Sequence, residues 1–184
     1  MSRIGGTRPA PNRVAKFHTP EIVVGPGSFP EAGAAASGLG VRRPLVVSDR
    51  KLEHTPWYGR LLEDLRAQGL VAASYLDVSP NPRAGEVSSG FAAYRAHGAD
   101  GIIALGGGSV IDAAKGVAVL ASNGGVILEY EGIDRVEHPL PPLVAVPTTA
   151  GSGADVSQFC IINAPERLTK ITIIGRTLVP NVTV

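Results

Sequence analysis

Residues 105–115 read LGGGSVIDAAK, and this stretch decides the fold. The apolar run from Ile102 to Leu105 predicts a buried strand, and a helical pattern follows as far as Leu120. Three glycines remove every Cβ between the two elements, so a phosphate can approach the backbone closely. The free N–H groups and the dipole of the first helical turn favour its negative charge. The turn therefore predicts a phosphate site at Gly107, Gly108 and Ser109.

Two residues of this stretch have an alternative, purely structural interpretation. Ser109 is placed to cap the helix, and Ser109 with Asp112 matches a capping box. Asp112 is therefore equally a cap or a residue that faces the ligand. Two familiar motifs fit poorly. A P-loop needs Lys-Ser or Lys-Thr directly after its last glycine, and a Rossmann fingerprint places its ribose-binding acid about 20 residues after the glycines, whereas Asp49 precedes them here.

Outward from the glycine turn, short apolar runs alternate with helical patterns. Runs within residues 21–24, 45–48, 71–76 and 143–146 predict strands, and helices are expected after Ser28 and Thr55 and over residues 84–96. Because the runs are apolar on both faces, the fold class is α/β, with a parallel sheet covered by helices on both faces. Residues 159–162 and 170–174 predict two further strands, arranged as a hairpin.

Polar loops follow several of these strands and should share one edge of the sheet, where such folds bind ligands. Asp49 is placed to accept hydrogen bonds from an adenosine ribose and to repel a 2′-phosphate, which favours NAD over NADP; alternatively it caps a helix. Thr148, Thr149 and Ser152 belong to the loop PTTAGSGAD, residues 147–155, whose hydroxyls line a nicotinamide or phosphate pocket or simply satisfy a turn. Residues 80–82, PNP, predict an extended turn.

Composition excludes several function classes. The chain has 184 residues and a net charge of +1, so we expect no nucleic-acid partner, and no apolar stretch has the length of a membrane span. Cys160 is the single cysteine, and an apolar run around it indicates a buried hydrophobe. The four histidines, residues 18, 54, 97 and 138, lie in separate segments and are expected to be structural or exposed rather than metal ligands. Residues 1–16 are expected to be a flexible lead-in to a cytoplasmic protein.

Together these blocks resemble the iron-containing (group III) alcohol dehydrogenase family. The matching stretches are VVSD (46–49), PNP (80–82), GGGS (106–109) with Asp112 and Lys115, PTTAGSG (147–153), and Lys170 with Pro180. The resemblance implies that residues 17–184 form a dinucleotide-binding domain like that of dehydroquinate synthases. It also implies that an all-helical domain with an Asp and three His for iron or zinc follows in the family, so the metal-binding half is expected to be absent from this chain.

Carried over residue by residue, the resemblance assigns a set of cofactor contacts. Asp49 binds the adenosine ribose, and Asn81 lies near a phosphate or ribose. Gly107, Gly108 and Ser109 hold the pyrophosphate. Thr148, Thr149 and Ser152 line the nicotinamide side, and Lys170 contacts a ribose.

The expected function is that of the NAD domain of a metal-dependent alcohol dehydrogenase, which transfers hydride between a small alcohol and its aldehyde or ketone. Two alternatives remain open. One is a non-catalytic nucleotide-binding module or half of a split protein, with a partner chain supplying the helical domain. The other is an enzyme of the glycerol dehydrogenase or dehydroquinate synthase type. A homo-oligomer is also possible.

Overall fold

The apolar runs of the sequence become the strands of the protein, and the amphipathic stretches become its helices. The computed structural model describes residues 18–184, so the lead-in expected over residues 1–16 lies outside the described part. The strands are β1 (Glu21–Ile22), β2 (Pro44–Val47), β3 (Ala73–Tyr75), β4 (Gly101–Gly106), β5 (Gly132–Ile133), β6 (Leu143–Pro147), β7 (Phe159–Ala164), β8 (Thr169–Ile174) and β9 (Val182–Thr183). The α-helices are α1 (Glu31–Gly38), α2 (Arg50–Glu53), α3 (Pro56–Ala67), α4 (Ala84–His97) and α5 (Gly108–Asn123).

Six strands form one parallel sheet in the order β1-β9-β6-β4-β2-β3. Alternate residues of its central strands enter two different cores. On β4, Ile102 belongs to the core beneath α4 and α5, whereas Ile103 belongs to the core beneath α1 and α3. On β2, Leu45 and Val46 divide in the same way. Because successive strand side chains point to opposite faces, both faces of the sheet are covered. The predicted fold class is confirmed.

Local sequence features explain where the helices begin and end. Pro56 occupies the start of α3, where its missing N–H costs nothing, and Leu61 and Leu65 are buried. α4 ends at Gly98, which adopts the left-handed conformation expected of a C-cap glycine. The four-residue α2 was not predicted, because so short a helix has no periodic pattern to detect.

The C-terminal third departs from a simple continuation of the sheet. β7 and β8 form the predicted antiparallel hairpin, but with β5 they make a separate three-stranded sheet. The two-residue β9 was not predicted, and it enters the main sheet between β1 and β6. β1 is shorter than predicted, since only Glu21 and Ile22 pair and Val24 is exposed. Among residues 18–184, none of the helices combines the length and the apolar character needed to cross a bilayer.

The chain order creates a crevice at one edge of the sheet. From β2 the chain goes to β3 on one side, and β4 then pairs with the other side of β2. At such a switch point, the connections leaving the two strands diverge and leave room for a ligand beyond their carboxyl ends. Asp49 follows β2 and the glycine turn follows β4, so both lie at this crevice.

Lys115 ties the helix behind the glycine turn to the segment that leads into β7. Its side chain is fully buried within α5, and its Nζ donates hydrogen bonds to the carbonyl oxygens of Ser157 (2.7 Å) and Phe159 (2.8 Å). Burial lowers the pKa of the Lys115 amine, and the nearby Cys160 and Asp112 partly offset this decrease. The amine thus fixes the far end of the loop that begins at Pro147.

We expect Lys115→Met to lower the free energy of unfolding by about 1–3 kcal/mol, because two partly buried carbonyl oxygens lose their donor while the side-chain volume is largely kept. Urea denaturation measures this change. The exposed Lys51 offers a matched control, and Lys51→Met should stay within about 0.5 kcal/mol of the wild type. Equal stability changes in the two variants would contradict a structural function for the buried amine.

Candidate functional site

The glycine turn leaves backbone donors pointing into the crevice. β4 ends at Gly106, whose carbonyl accepts from the Thr148 amide (3.0 Å). Gly107 is the N-cap of α5, and its carbonyl accepts from Val110 and Ile111. Amides in the first helical turn have no carbonyl one turn earlier to bind. The hydrogen bonds of residues 18–184 include none donated by the amides of Gly108 or Ser109, so both are available to an anion.

Side chains at two of these glycines would strike the loop of residues 147–153. A Cβ built on Gly108 would lie 2.7 Å from Ser152 Oγ, and one on Gly107 would lie 3.1 Å from Thr149 Oγ1. The first distance is below any real Cβ contact, and the second leaves almost no freedom. The structure therefore brings the hydroxyls of Thr149 and Ser152 against the turn. Thr148 is exposed at the start of the same loop.

The structure corrects the interpretation of Ser109 as a helix cap. The N-cap position belongs to Gly107, and no side chain caps α5 there. Ser109 Oγ instead accepts a hydrogen bond from the Asn81 amide (3.1 Å). Asn81 Oδ1 in turn accepts from Lys170 Nζ at 2.5 Å. Three residues assigned to the cofactor are thus linked across three segments that are far apart in the chain.

Asn81 also departs from the extended conformation expected of the residue before a proline. Its φ is 59°, in the left-handed region, which an asparagine tolerates better than most residues. Strain at one residue of a binding loop persists where the surroundings hold it in place. Here the hydrogen bonds to Ser109 and Lys170 do so, and they determine where the Asn81 side chain lies.

Ser109 does not cap α5, so Ser109 and Asp112 do not form the capping box that their spacing suggested. Asp112 lines a cavity of about 280 Å³ together with Gly108, Ser109, Ser152 and Lys170. Burial raises the pKa of the Asp112 carboxyl to about 6, against the opposing effects of Lys115 and the Ile161 amide. A carboxyl group that changes charge near neutral pH therefore faces the turn.

A larger cavity, of about 490 Å³, lies on the other side of the turn and is lined by Asp49, Gly107 and Ser109. Asp49 does cap a helix: its Oδ1 accepts from the amides of Lys51 (2.8 Å) and Leu52 (3.1 Å) at the start of α2. The Oδ2 atom has no partner among the hydrogen bonds of the described residues. The structural interpretation of Asp49 thus holds for one oxygen and leaves the second for a ligand.

Four charged residues of this larger cavity were not predicted from the sequence: Arg50, Lys51, Asp77 and Glu86. A signal was present for Asp77, which stands two residues after β3, as Asp49 stands two residues after β2. Since the strands are parallel neighbours, equal offsets place both acids at the same edge. The sequence places β3 only within residues 71–76, so the offset of Asp77 from the end of the strand is known only from the structure.

The remaining candidates offer no metal or nucleophilic chemistry. Cys160 is buried as predicted, burial raises the pKa of its thiol, and its Sγ donates to the Asp112 carbonyl (3.2 Å). Among residues 18–184, no three His, Cys, Asp or Glu side chains lie close enough to hold a metal ion. The iron or zinc implied by the resemblance therefore does not fit the described residues.

Comparison with known proteins identifies the family of the chain. The sequence profile of the family described as iron-containing alcohol dehydrogenase matches residues 19–184. The NAD-dependent methanol dehydrogenase of Bacillus methanolicus is 32% identical over 168 residues, which cover 91% of this chain and 44% of that protein. A crystal structure of 1,3-propanediol oxidoreductase superposes with a TM-score of 0.91 at 32% identity, covering 93% of this chain and 45% of that one.

A sulfoacetaldehyde reductase from Bifidobacterium kashiwanohense, solved in complex with NAD+, superposes with a TM-score of 0.82 at 25% identity, covering 94% of this chain and 46% of the other. The chain spans less than half the length of each of these relatives. The match nevertheless extends over almost every described residue. This chain belongs to the iron-containing alcohol dehydrogenase family.

Proposed function

We propose that this chain binds NAD across the glycine turn, and that the complete protein uses it to interconvert a small alcohol and its aldehyde or ketone. One observation carries the first part: the free amides of Gly108 and Ser109 lie between two cavities, and Ser109 lines both. A dinucleotide has the matching form, two nucleosides joined by a pyrophosphate. Because Gly107 and Gly108 lack Cβ atoms, Thr149 and Ser152 can pack directly against the turn, and the pyrophosphate is proposed to meet bare backbone amides there.

The larger cavity is assigned to the adenosine half. The open Oδ2 of Asp49 is suited to accept a hydrogen bond from a ribose hydroxyl, while its charge repels a 2′-phosphate. NAD is therefore the proposed cofactor, and NADP the less favoured one. Relatives support this choice, since one is named as NAD-dependent and another was solved with NAD+.

The smaller cavity is assigned to the nicotinamide half. Lys170 and Asn81 are held together at its wall, where they can contact a ribose or phosphate oxygen. Ser152 lines the same cavity, and Thr149 lies against the turn beside it. Thr148, at the exposed start of the loop, is assigned to the nicotinamide side by resemblance alone. Asp112 closes the cavity beside Gly108.

When bound, nicotinamide supplies the chemistry of accepting or donating a hydride. The described residues contribute binding and orientation: they hold the pyrophosphate and both riboses, and so fix where the ring lies. The alcohol substrate is proposed from the relatives, which include a methanol dehydrogenase and a 1,3-propanediol oxidoreductase. Metal binding is assigned to none of the residues described here, because no three His, Cys, Asp or Glu side chains among them lie close enough together to hold an ion.

NADH titration followed by nucleotide fluorescence tests the proposed site. In Gly108→Val the new side chain strikes Ser152 and forces the turn and the loop of residues 147–153 apart, so we expect the affinity to fall at least tenfold.

Gly38→Val is the matched control, because Gly38 ends α1 and has no atom near its built Cβ. Its NADH affinity should stay within about twofold of the wild type. If Gly108→Val, shown to be folded by its melting curve, binds NADH as well as the wild type, the pyrophosphate does not lie on the turn.

The raised pKa of Asp112 gives the site a pH dependence of definite sign. Above about pH 6 the carboxyl is ionised and its negative charge lies in the cavity assigned to the cofactor, so it opposes the pyrophosphate. Below that pH the group is neutral. We therefore expect NADH, whose nicotinamide ring is uncharged, to bind more tightly at pH 5.5 than at pH 7.5, as measured by calorimetry. Asp112→Asn, neutral throughout, should flatten this dependence; an unchanged pH profile would place the pyrophosphate away from Asp112.

A further inference from the structure

The end of the larger cavity holds an arginine between two acids. Asp49 and Asp77 are backbone bridge partners, each just beyond its strand, and Arg50 follows Asp49 directly. All three line the cavity that the proposed function gives to adenosine. The inference that follows rests on that proposed function.

Arg50 forms an ion pair with Asp77. Its Nε lies 2.7 Å from Asp77 Oδ1, and its Nη2 lies 2.6 Å from the same oxygen. A guanidinium group is the side chain best suited to bind a phosphate, because its donors form a planar fork that binds two oxygens at once. Here two of those donors already face a carboxylate, and the positive charge is neutralised.

An arginine without a carboxylate partner at this position would favour NADP over NAD. NADP differs from NAD only by the phosphate on the adenosine 2′ oxygen, which brings roughly −2 of charge to this part of the cavity. An arginine near this position is the usual means of accommodating that phosphate. The carboxylate of Asp49 repels the 2′-phosphate, but an unpaired Arg50 beside Asp49 would cancel much of that repulsion.

We propose that Asp77 is a second specificity-determining residue, which makes the cavity select NAD over NADP by holding and neutralising Arg50. Asp49 and Asp77 then act on the same choice in different ways. Asp49 faces the ribose and repels a phosphate directly. Asp77 neutralises Arg50, the cation that directly follows Asp49 and would otherwise attract the phosphate; Lys51 is the other cation that lines this cavity. Both side chains of the ion pair are more than half exposed, at 68% for Arg50 and 59% for Asp77, so the pair is open to an incoming nucleotide.

The test compares the dissociation constants of NADH and NADPH for the whole chain. In Asp77→Ala, Arg50 is released, and the ratio of the NADPH constant to the NADH constant should fall about tenfold, the size expected for a dianion that meets a freed cation in a partly solvated site. Arg50→Gln alone should change the ratio by less than about threefold, because Arg50 is already occupied. In the double variant most of the fall should disappear, since the gain requires Arg50.

Glu131→Ala is the matched control. Glu131 forms a comparably exposed ion pair with Arg167 (3.4 Å, with 51% and 49% of the side chains exposed) and lines neither cavity. It loses the same charge as Asp77→Ala, and its nucleotide ratio should match that of the wild type. Melting curves confirm that each variant is folded.

Each outcome decides the proposal. It is overturned if Asp77→Ala leaves the ratio at its wild-type value while NADH still binds, and the proposed function then stands. It is also overturned if the ratio falls equally with and without Arg50, because Asp77 would then act by repulsion alone. A wild-type chain that binds neither nucleotide overturns the proposed function, and the inference with it.

Discussion

The site depends on the backbone amides of Gly108 and Ser109, and the fold explains why these amides are free to donate hydrogen bonds. They are unpaired because a helix must begin somewhere, and here it begins directly at the carboxyl end of a buried central strand. The parallel sheet fixes the direction of β4, and the chain order opens a crevice beside it. The positive end of α5 therefore faces a concave edge where an anion has room.

Contacts on both sides hold the turn in place. Thr149 and Ser152 approach so closely that the turn has no room for side chains, and Lys115 holds the other end of their loop from behind. On the opposite side, Asn81 accepts a strained backbone conformation and joins Ser109 to Lys170. These contacts place hydroxyl, amide and ammonium groups around one position before any ligand arrives, which lowers the ordering cost of binding.

Much of this arrangement can be read from the sequence, because its causes are local. Apolar runs such as residues 102–105 predict strands, and the three glycines before α5 predict an anion site. The parts that sequence reasoning missed have non-local causes. Nothing near Ser109 in the chain indicates that its hydroxyl binds the Asn81 amide rather than capping its own helix. The two-residue β9 forms only because it pairs with β1 and β6. The function proposed for Asp77 becomes visible only when the structure places it beside Asp49 and Arg50.

The central claim is that a pyrophosphate lies on the amides of the turn, and amide NMR of the ¹⁵N-labelled chain observes them directly. On addition of NAD+, the amide resonances of Gly108 and Ser109 should show the largest shifts in the chain, and these amides should exchange more slowly with solvent. The cavity lined by Ala34 and Gly38 on α1 shares no residue with the proposed site and provides an internal reference whose amides should not respond. Unchanged signals at Gly108 and Ser109 in the presence of bound NAD+ would contradict the account.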